Sequence, residues 1–148
     1  MIQKLDNQKE QVAKAMWAIQ IPAYLIEAEL IGSKEIPPLK ESVEDIQKSD
    51  ETFIGFFEEE LKGFISYKIE GELIDIYRLV INPNSFRQGI GGKLVAFLLE
   101  NFKGHEFIVS TGQANIPAKK LYASFGFVEL RNFEAAPNIW CTEFKLIN

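Results

Sequence analysis

Residues 79–94 read Leu79-Val80-Ile81-Asn82-Pro83-Asn84-Ser85-Phe86-Arg87-Gln88-Gly89-Ile90-Gly91-Gly92-Lys93-Leu94. An apolar run of strand character ends at a proline turn, and three glycines then open a stretch of helical periodicity. In that stretch Ile90, Leu94, Val95, Leu98, Leu99 and Phe102 recur on one face. Glycines at a helix start leave backbone N–H groups bare, and that end of a helix carries about half a positive charge. The segment Gln88, Gly89, Ile90, Gly91, Gly92, Lys93 is therefore expected to cradle a diphosphate, with Arg87 and Lys93 adding charge at the rim. Two other phosphate loops are excluded. A P-loop needs glycine where Arg87 stands and Ser or Thr where Leu94 stands, and the dinucleotide fingerprint needs glycine at Leu94.

Outward from this stretch, Thr52–Phe57, Leu61–Ile69 and Leu73–Ile81 are rich in Phe, Ile, Val and Tyr. Glu58-Glu59-Glu60 and Glu70-Gly71 separate them, which predicts an antiparallel meander. Downstream, the pattern predicts a strand over Phe107–Thr111, a helix over Pro117–Phe125, and strands over Phe127–Leu130 and Ile139–Leu146. Upstream, a short strand Ile2–Leu5 leads into a capping box with Asn7 as N-cap and Glu10 as its partner. The helix that follows is expected to end or kink at Pro22, with a second helical stretch from Ala23 to Ile31. Lys34–Lys40 is expected to be extended because of Pro37-Pro38, and a short helix is expected over Ser42–Lys48. The fold class is mixed α/β around one central sheet, with about four helices.

A second segment, Asn115-Ile116-Pro117-Ala118-Lys119-Lys120-Leu121-Tyr122-Ala123-Ser124-Phe125-Gly126-Phe127, is similar to N-x-x-A-x-x-L-Y-x-x-x-G-F of the GCN5-related N-acetyltransferase (GNAT) superfamily. The first stretch resembles the acetyl-CoA motif of the same superfamily. Ile81-Asn82-Pro83 stands for V-x-P, and Arg87-Gln88-Gly89-Ile90-Gly91 for x-x-G-x-G/A. Phe86 departs from the Arg or Gln often found there. With their connecting elements the two motifs cover Leu73 to Leu130.

The resemblance implies a mostly antiparallel sheet splayed between its fourth and fifth strands. It also implies one domain over 1–148, with acceptor-side helices and loop in 1–50, the acyl-CoA-binding core in 52–130 and C-terminal strands in 131–148. The pantetheine arm would pair like an added strand with Leu79, Val80 and Ile81. Asn115 would hydrogen-bond that arm, with Ala118 and Lys119 beside it, although Asn115 reads equally well as a helix N-cap. Tyr122 would protonate the leaving thiolate, the competing reading being a packed core aromatic. A lysine-like amine is almost wholly protonated at pH 7, so a base is useful. Asp75 is the first choice and an exposed strand carboxylate its plain reading. It lies six residues before Ile81, which by strand alternation puts both on one face and Arg78 on the other. Tyr24, Glu27, Arg78, Pro37 and Pro38 are the expected acceptor contacts.

The net charge of −5 gives no basic face for nucleic acid or an anionic membrane. One cysteine and one histidine leave no visible metal-ligand set, and no internal disulfide can form. A reduced, cytoplasmic setting is expected. The expected activity is transfer of an acetyl group from acetyl-CoA to a primary amine of a small molecule or peptide, by direct attack in a ternary complex. The competing reading is a non-catalytic acyl-CoA-binding regulatory module. The family resemblance leaves room for a homodimer.

Overall fold

Strands form where Phe, Ile, Val and Tyr are concentrated, and the computed structural model, which describes residues 1–148, joins them into one seven-stranded sheet. β1 (Ile2–Leu5), β2 (Thr52–Glu58), β3 (Glu60–Glu70), β4 (Leu73–Ile81), β5 (Glu106–Gly112), β6 (Val128–Ala136) and β7 (Ile139–Ile147) lie in the order β1-β2-β3-β4-β5-β7-β6. All neighbours are antiparallel except β4 and β5. A parallel pair needs a long crossover, and α3 (Ile90–Asn101) supplies it.

Two apolar cores flank the sheet. On one face α1 (Glu10–Ile31) and α2 (Val43–Lys48) pack through Ala13, Met16, Ile19 and Ile46 onto Leu5, Phe53, Phe64 and Val80. On the other, Leu94, Val95 and Leu98 of α3 and Tyr122 of α4 (Ile116–Ser124) meet Ile65, Ile74, Ile76, Phe107 and Phe144. No helix is long and apolar enough to cross a membrane.

Three local expectations are corrected. Pro22 neither ends nor splits the first helix: α1 runs unbroken from Glu10 to Ile31. Pro22 and Ala18 both face solvent, so the carbonyl that loses its i+4 donor there is not sealed from water. Asn7 does not cap α1, whose N-cap is Lys9 without a side-chain bond. Its amide instead donates to Ile46 O at 2.7 Å and Ser49 O at 3.2 Å, closing the end of α2. The Pro37–Lys40 segment is a 3₁₀ turn rather than extended chain; its prolines occupy the first positions, where a missing N–H costs nothing.

The most consequential feature is a bulge in β4. Ser66 pairs with Arg78 and Tyr67 with Ile76, leaving Tyr77 without a partner. Alternation therefore slips by one residue. Ile74 and Ile76 face the α3 side, yet Val80 faces the α1 side. Asp75 and Arg78 thus share the α1 face and Ile81 turns away, the reverse of what uninterrupted alternation predicts.

Just past the bulge the sheet opens. β4 and β5 pair only from Leu73–Ile76 to Glu106–Val109. Beyond that point Tyr77–Ile81 follows β3, while Ser110–Gly112 follows β7. The fold is a mixed α/β sheet splayed between its fourth and fifth strands, and the wedge is bounded by two strand edges that do not pair with each other.

Candidate active site

One wall of the wedge ends in the glycine-led turn. Arg87 and Gly89 adopt left-handed backbone, with φ of 67° and 75°, which folds the chain back so that α3 begins beside β4. The first helical amide to reach a carbonyl is that of Lys93, which donates to Gly89 O at 3.0 Å. The N–H groups of Ile90, Gly91 and Gly92 therefore point out of the helix end unpaired, and Gly89 offers no capping side chain. This narrows the expected cradle, since the Lys93 amide is already used and its ammonium lies over the Phe56 ring at 5.4 Å. Gly91 also serves packing: a Cβ there would stand 3.3 Å from Leu121 Cδ2 and 3.7 Å from Leu79 Cδ2. Arg87, Gln88 and Gly89 are exposed.

The opposite wall is the start of α4. Asn115 is its N-cap, accepting from Ala118 N at 3.3 Å, and its amide donates to Glu27 Oε1 of α1 at 2.9 Å. Both ends of the Asn115 side chain are thus engaged within the protein. Tyr122 stands seven positions on, about two turns, and so on the same side of α4. Helical side chains lean toward the N-terminus, which sends the Tyr122 hydroxyl back toward Asn115 and Glu27. Its ring is 3% exposed and packs against Phe127 and Phe144, so the packed-aromatic reading holds for the ring. No buried side-chain polar atom in the protein lacks a partner, and the hydroxyl has none within the protein, so its oxygen keeps some access to solvent. Burial, then the Glu27 carboxylate, raises the phenol pKa, keeping it protonated across any working pH.

Glu27 is half-buried, and burial pushes its pKa up against the opposing bonds of Asn115 and Thr111. Burial, then the Glu27 charge, also raises the pKa of Tyr24, one turn earlier on α1, and of Cys141 of β7. Tyr24, Asn115, Tyr122 and Cys141 thus all lie near enough to Glu27 to bond to it or feel its charge, at the mouth of the wedge where α4 begins. Lys119 is held elsewhere, by Glu129 at 3.4 Å and Gln113 O at 3.4 Å.

Asp75 stands apart. It pairs with Lys68 and Ile108, in the closed part of the sheet before the bulge. Burial, Glu70 and Glu143 raise its pKa, and Lys68 opposes them.

Arg78, expected as an acceptor contact, is engaged within the protein itself. Its five N–H groups are all occupied: Nε and Nη2 grip the two Glu51 oxygens at 2.9 and 2.8 Å, and Nη1 reaches Gln20 Oε1 at 3.0 Å. Nη1 and Nη2 also bind the two Glu41 oxygens. Ser66 donates to Glu51 Oε1 at 2.6 Å, and the guanidinium lies over Phe53. Gln20 extends the cluster to Pro38 O at 3.2 Å and to Glu41 Oε1 at 2.8 Å. Arg78 thus ties the Pro37–Lys40 turn, with Ile36 buried beside it, to the strand at the point of opening. Gln20, Glu41, Glu51 and Ser66 escaped the reading of the chain because they converge from distant positions. The only signal was a polar Gln20 among the inward α1 positions Met16 and Ile19.

Residues 13–127 match the acetyltransferase (GNAT) family. Among curated proteins, the UPF0157 protein YqkA of Bacillus subtilis (strain 168) is 39% identical over 148 residues, 99% of this chain and 43% of that protein. The chain thus spans less than half the length of this relative. The paiA N-acetyltransferase of Thermoplasma acidophilum, solved in complex with coenzyme A, is similar with a TM-score of 0.75 and 20% identity, covering 99% of this chain and 98% of that one. The ribosomal-protein-S18-alanine N-acetyltransferase of Escherichia coli is similar with a TM-score of 0.74 and 18% identity, covering 99% and 92%. Both are likenesses of fold.

Proposed function

The chain belongs to the acetyltransferase (GNAT) family, and from that premise we propose that it transfers an acetyl group from acetyl-CoA to the primary amine of a small molecule or peptide. The observation that carries this reading is the row of unpaired Ile90, Gly91 and Gly92 amides opening beside the free edge of β4. Unpaired first-turn amides at the positive end of α3 fit a diphosphate. The free Leu79–Ile81 edge fits an extended amide-containing arm, which pairs with it as a further strand. Acetyl-CoA supplies the activated thioester.

The chain's own residues do the rest. Backbone N–H groups at the opened edge of β4 are donors for the oxyanion that develops at the carbonyl. The Tyr122 hydroxyl, protonated and aimed into the mouth, gives its proton to the departing sulfur. Asn115 fixes the start of α4 and with it the ring of Tyr122. Tyr24, Glu27 and the Pro37-Pro38 turn form the acceptor's side of the mouth. The single domain over 1–148, a soluble cytoplasmic setting and the absence of a required metal belong to the same proposal.

The test is release of free coenzyme thiol from acetyl-CoA with a panel comprising spermidine, an aminoglycoside, free amino acids, and peptides with a free N-terminus or an internal lysine. Amine-dependent release with formation of the N-acetyl product is the expected result. Tight binding of acetyl-CoA with no release on any amine would make the protein a sensor of acyl-CoA instead.

A further inference from the structure

We propose that Glu27, held over the mouth by Asn115, and not Asp75, is the carboxylate that receives the acceptor's ammonium and removes its proton. This rests on the transferase reading above and names the residue that reading leaves open.

The reaction needs a proton acceptor and a proton donor facing one space, with the attacking nitrogen between them. Asn115 fixes both. Its Oδ1 caps the helix that carries Tyr122, and its Nδ2 holds Glu27 Oε1 at 2.9 Å. One side chain thereby sets the position of the α1 carboxylate relative to the α4 phenol. Asp75 has no such link. It lies where β4 and β5 are still paired, with Ile108 as its β5 partner, and its charged neighbours are Glu70, Glu143 and Lys68. Of Glu27 and Asp75, only Glu27 acts on the phenol.

The surroundings suit the role. Facing Glu27 are Tyr24 from its own helix, Thr111 from β5, Asn115 and Tyr122 from α4, and Cys141 from β7. None is a cation, and Arg78, which acts on Tyr24, is saturated by Glu41 and Glu51. A half-buried anion with no cationic partner is a site for an incoming cation. Burial raises its pKa toward that of an amine, and a smaller gap favours proton transfer. The substrate class that follows is a cationic primary amine.

Protons balance as follows. Glu27 takes one proton from the ammonium and releases it to solvent. The neutral nitrogen attacks, the N–C bond forms and the C–S bond breaks. Tyr122 protonates the sulfur and is restored by the second proton lost from nitrogen. The products are the N-acetyl amine, the free thiol and one proton.

The test uses whichever panel amine the full-length protein acetylates. E27Q, E27D and D75N are compared with the wild type for kcat/KM from pH 6 to the amine's own pKa, and for coenzyme A affinity by calorimetry. A general base is worth about 10²–10⁴-fold. E27Q is expected to lose at least about 100-fold at pH 7, more than D75N loses, with coenzyme A affinity within about twofold of wild type and partial recovery in E27D. The E27Q deficit should shrink as pH approaches the amine's pKa, where half of the amine is already neutral. Glu27 is not the base if E27Q turns over like wild type, if D75N loses more, or if the E27Q deficit is independent of pH. Absence of turnover by the wild type on every amine would overturn the transferase reading itself.

Discussion

A buried phenol can be a packing piece or a proton donor, and Tyr122 is both, by different parts of the side chain. The ring is sealed between Phe127 and Phe144, while the hydroxyl has no protein partner. Tyr122→Phe therefore removes a donor without removing packing. Stability should stay within about 1 kcal/mol, the worth of a typical hydrogen bond, because no such bond is lost. Steady-state kinetics should show kcat falling more than the coenzyme KM rises, the pattern of a group acting in the transition state. Unchanged kcat would remove Tyr122 from the chemistry. The sequence disclosed this residue through its motif, but not its neighbour Glu27 as a base, because their adjacency depends on α1 reaching Asn115, eighty-eight positions further on.

Among the elements, α3 and its turn were the most legible. Glycines at 89, 91 and 92, with the periodic face behind them, gave the helix start at Ile90 as observed. Gly91→Asp separates cradle from fold. Its backbone is helical and needs no glycine, Leu121 must yield only a few tenths of an ångström, and an acid in the first turn gains about 0.3–1 kcal/mol from the helix dipole. Thermal unfolding should shift by no more than a few degrees, while coenzyme A binding should weaken by at least about 100-fold in calorimetry. Near-normal binding would put the diphosphate elsewhere. The element least legible was β4. Its period looked regular through Leu73–Ile81, yet the bulge at Tyr77 inverts every side chain after it. Nothing in the residue types marks that slip; it follows from pairing with β3. Pro22 misled for a related reason. A proline signals a lost hydrogen bond, but whether the helix ends depends on how much apolar packing continues beyond it, here through Ala28 and Tyr24.

Across the whole molecule, the Arg78 cluster joins α1, the Pro37–Lys40 turn, the residue before β2, β3 and β4 in one knot. Burial pushes the Glu51 carboxyl up, but Arg78 and Ser66 outweigh it and hold the pKa below the usual value. A carboxylate lowered in the folded state adds stability that is present above its unfolded pKa of about 4.3 and is lost as pH falls through the folded value. Arg78→Met reverses the sign. Without the guanidinium, burial is no longer outweighed and raises the Glu51 pKa, so acid stabilises the variant down to about pH 4.3. Breaking a buried pair costs about 3–5 kcal/mol, or about 10 °C in a domain of this size. Thermal melts from pH 8 to pH 4 should show that gap at neutrality and a steady narrowing as the solution is acidified; a constant gap would mean the knot contributes only packing. Pro22, finally, sits between the part of α1 fastened by Gln20 and the part bearing Tyr24 and Glu27. A rod with one rung removed bends most cheaply at the missing rung. Any swing that widens the mouth for a bulkier guest will therefore pivot there, and leave the knot behind it undisturbed.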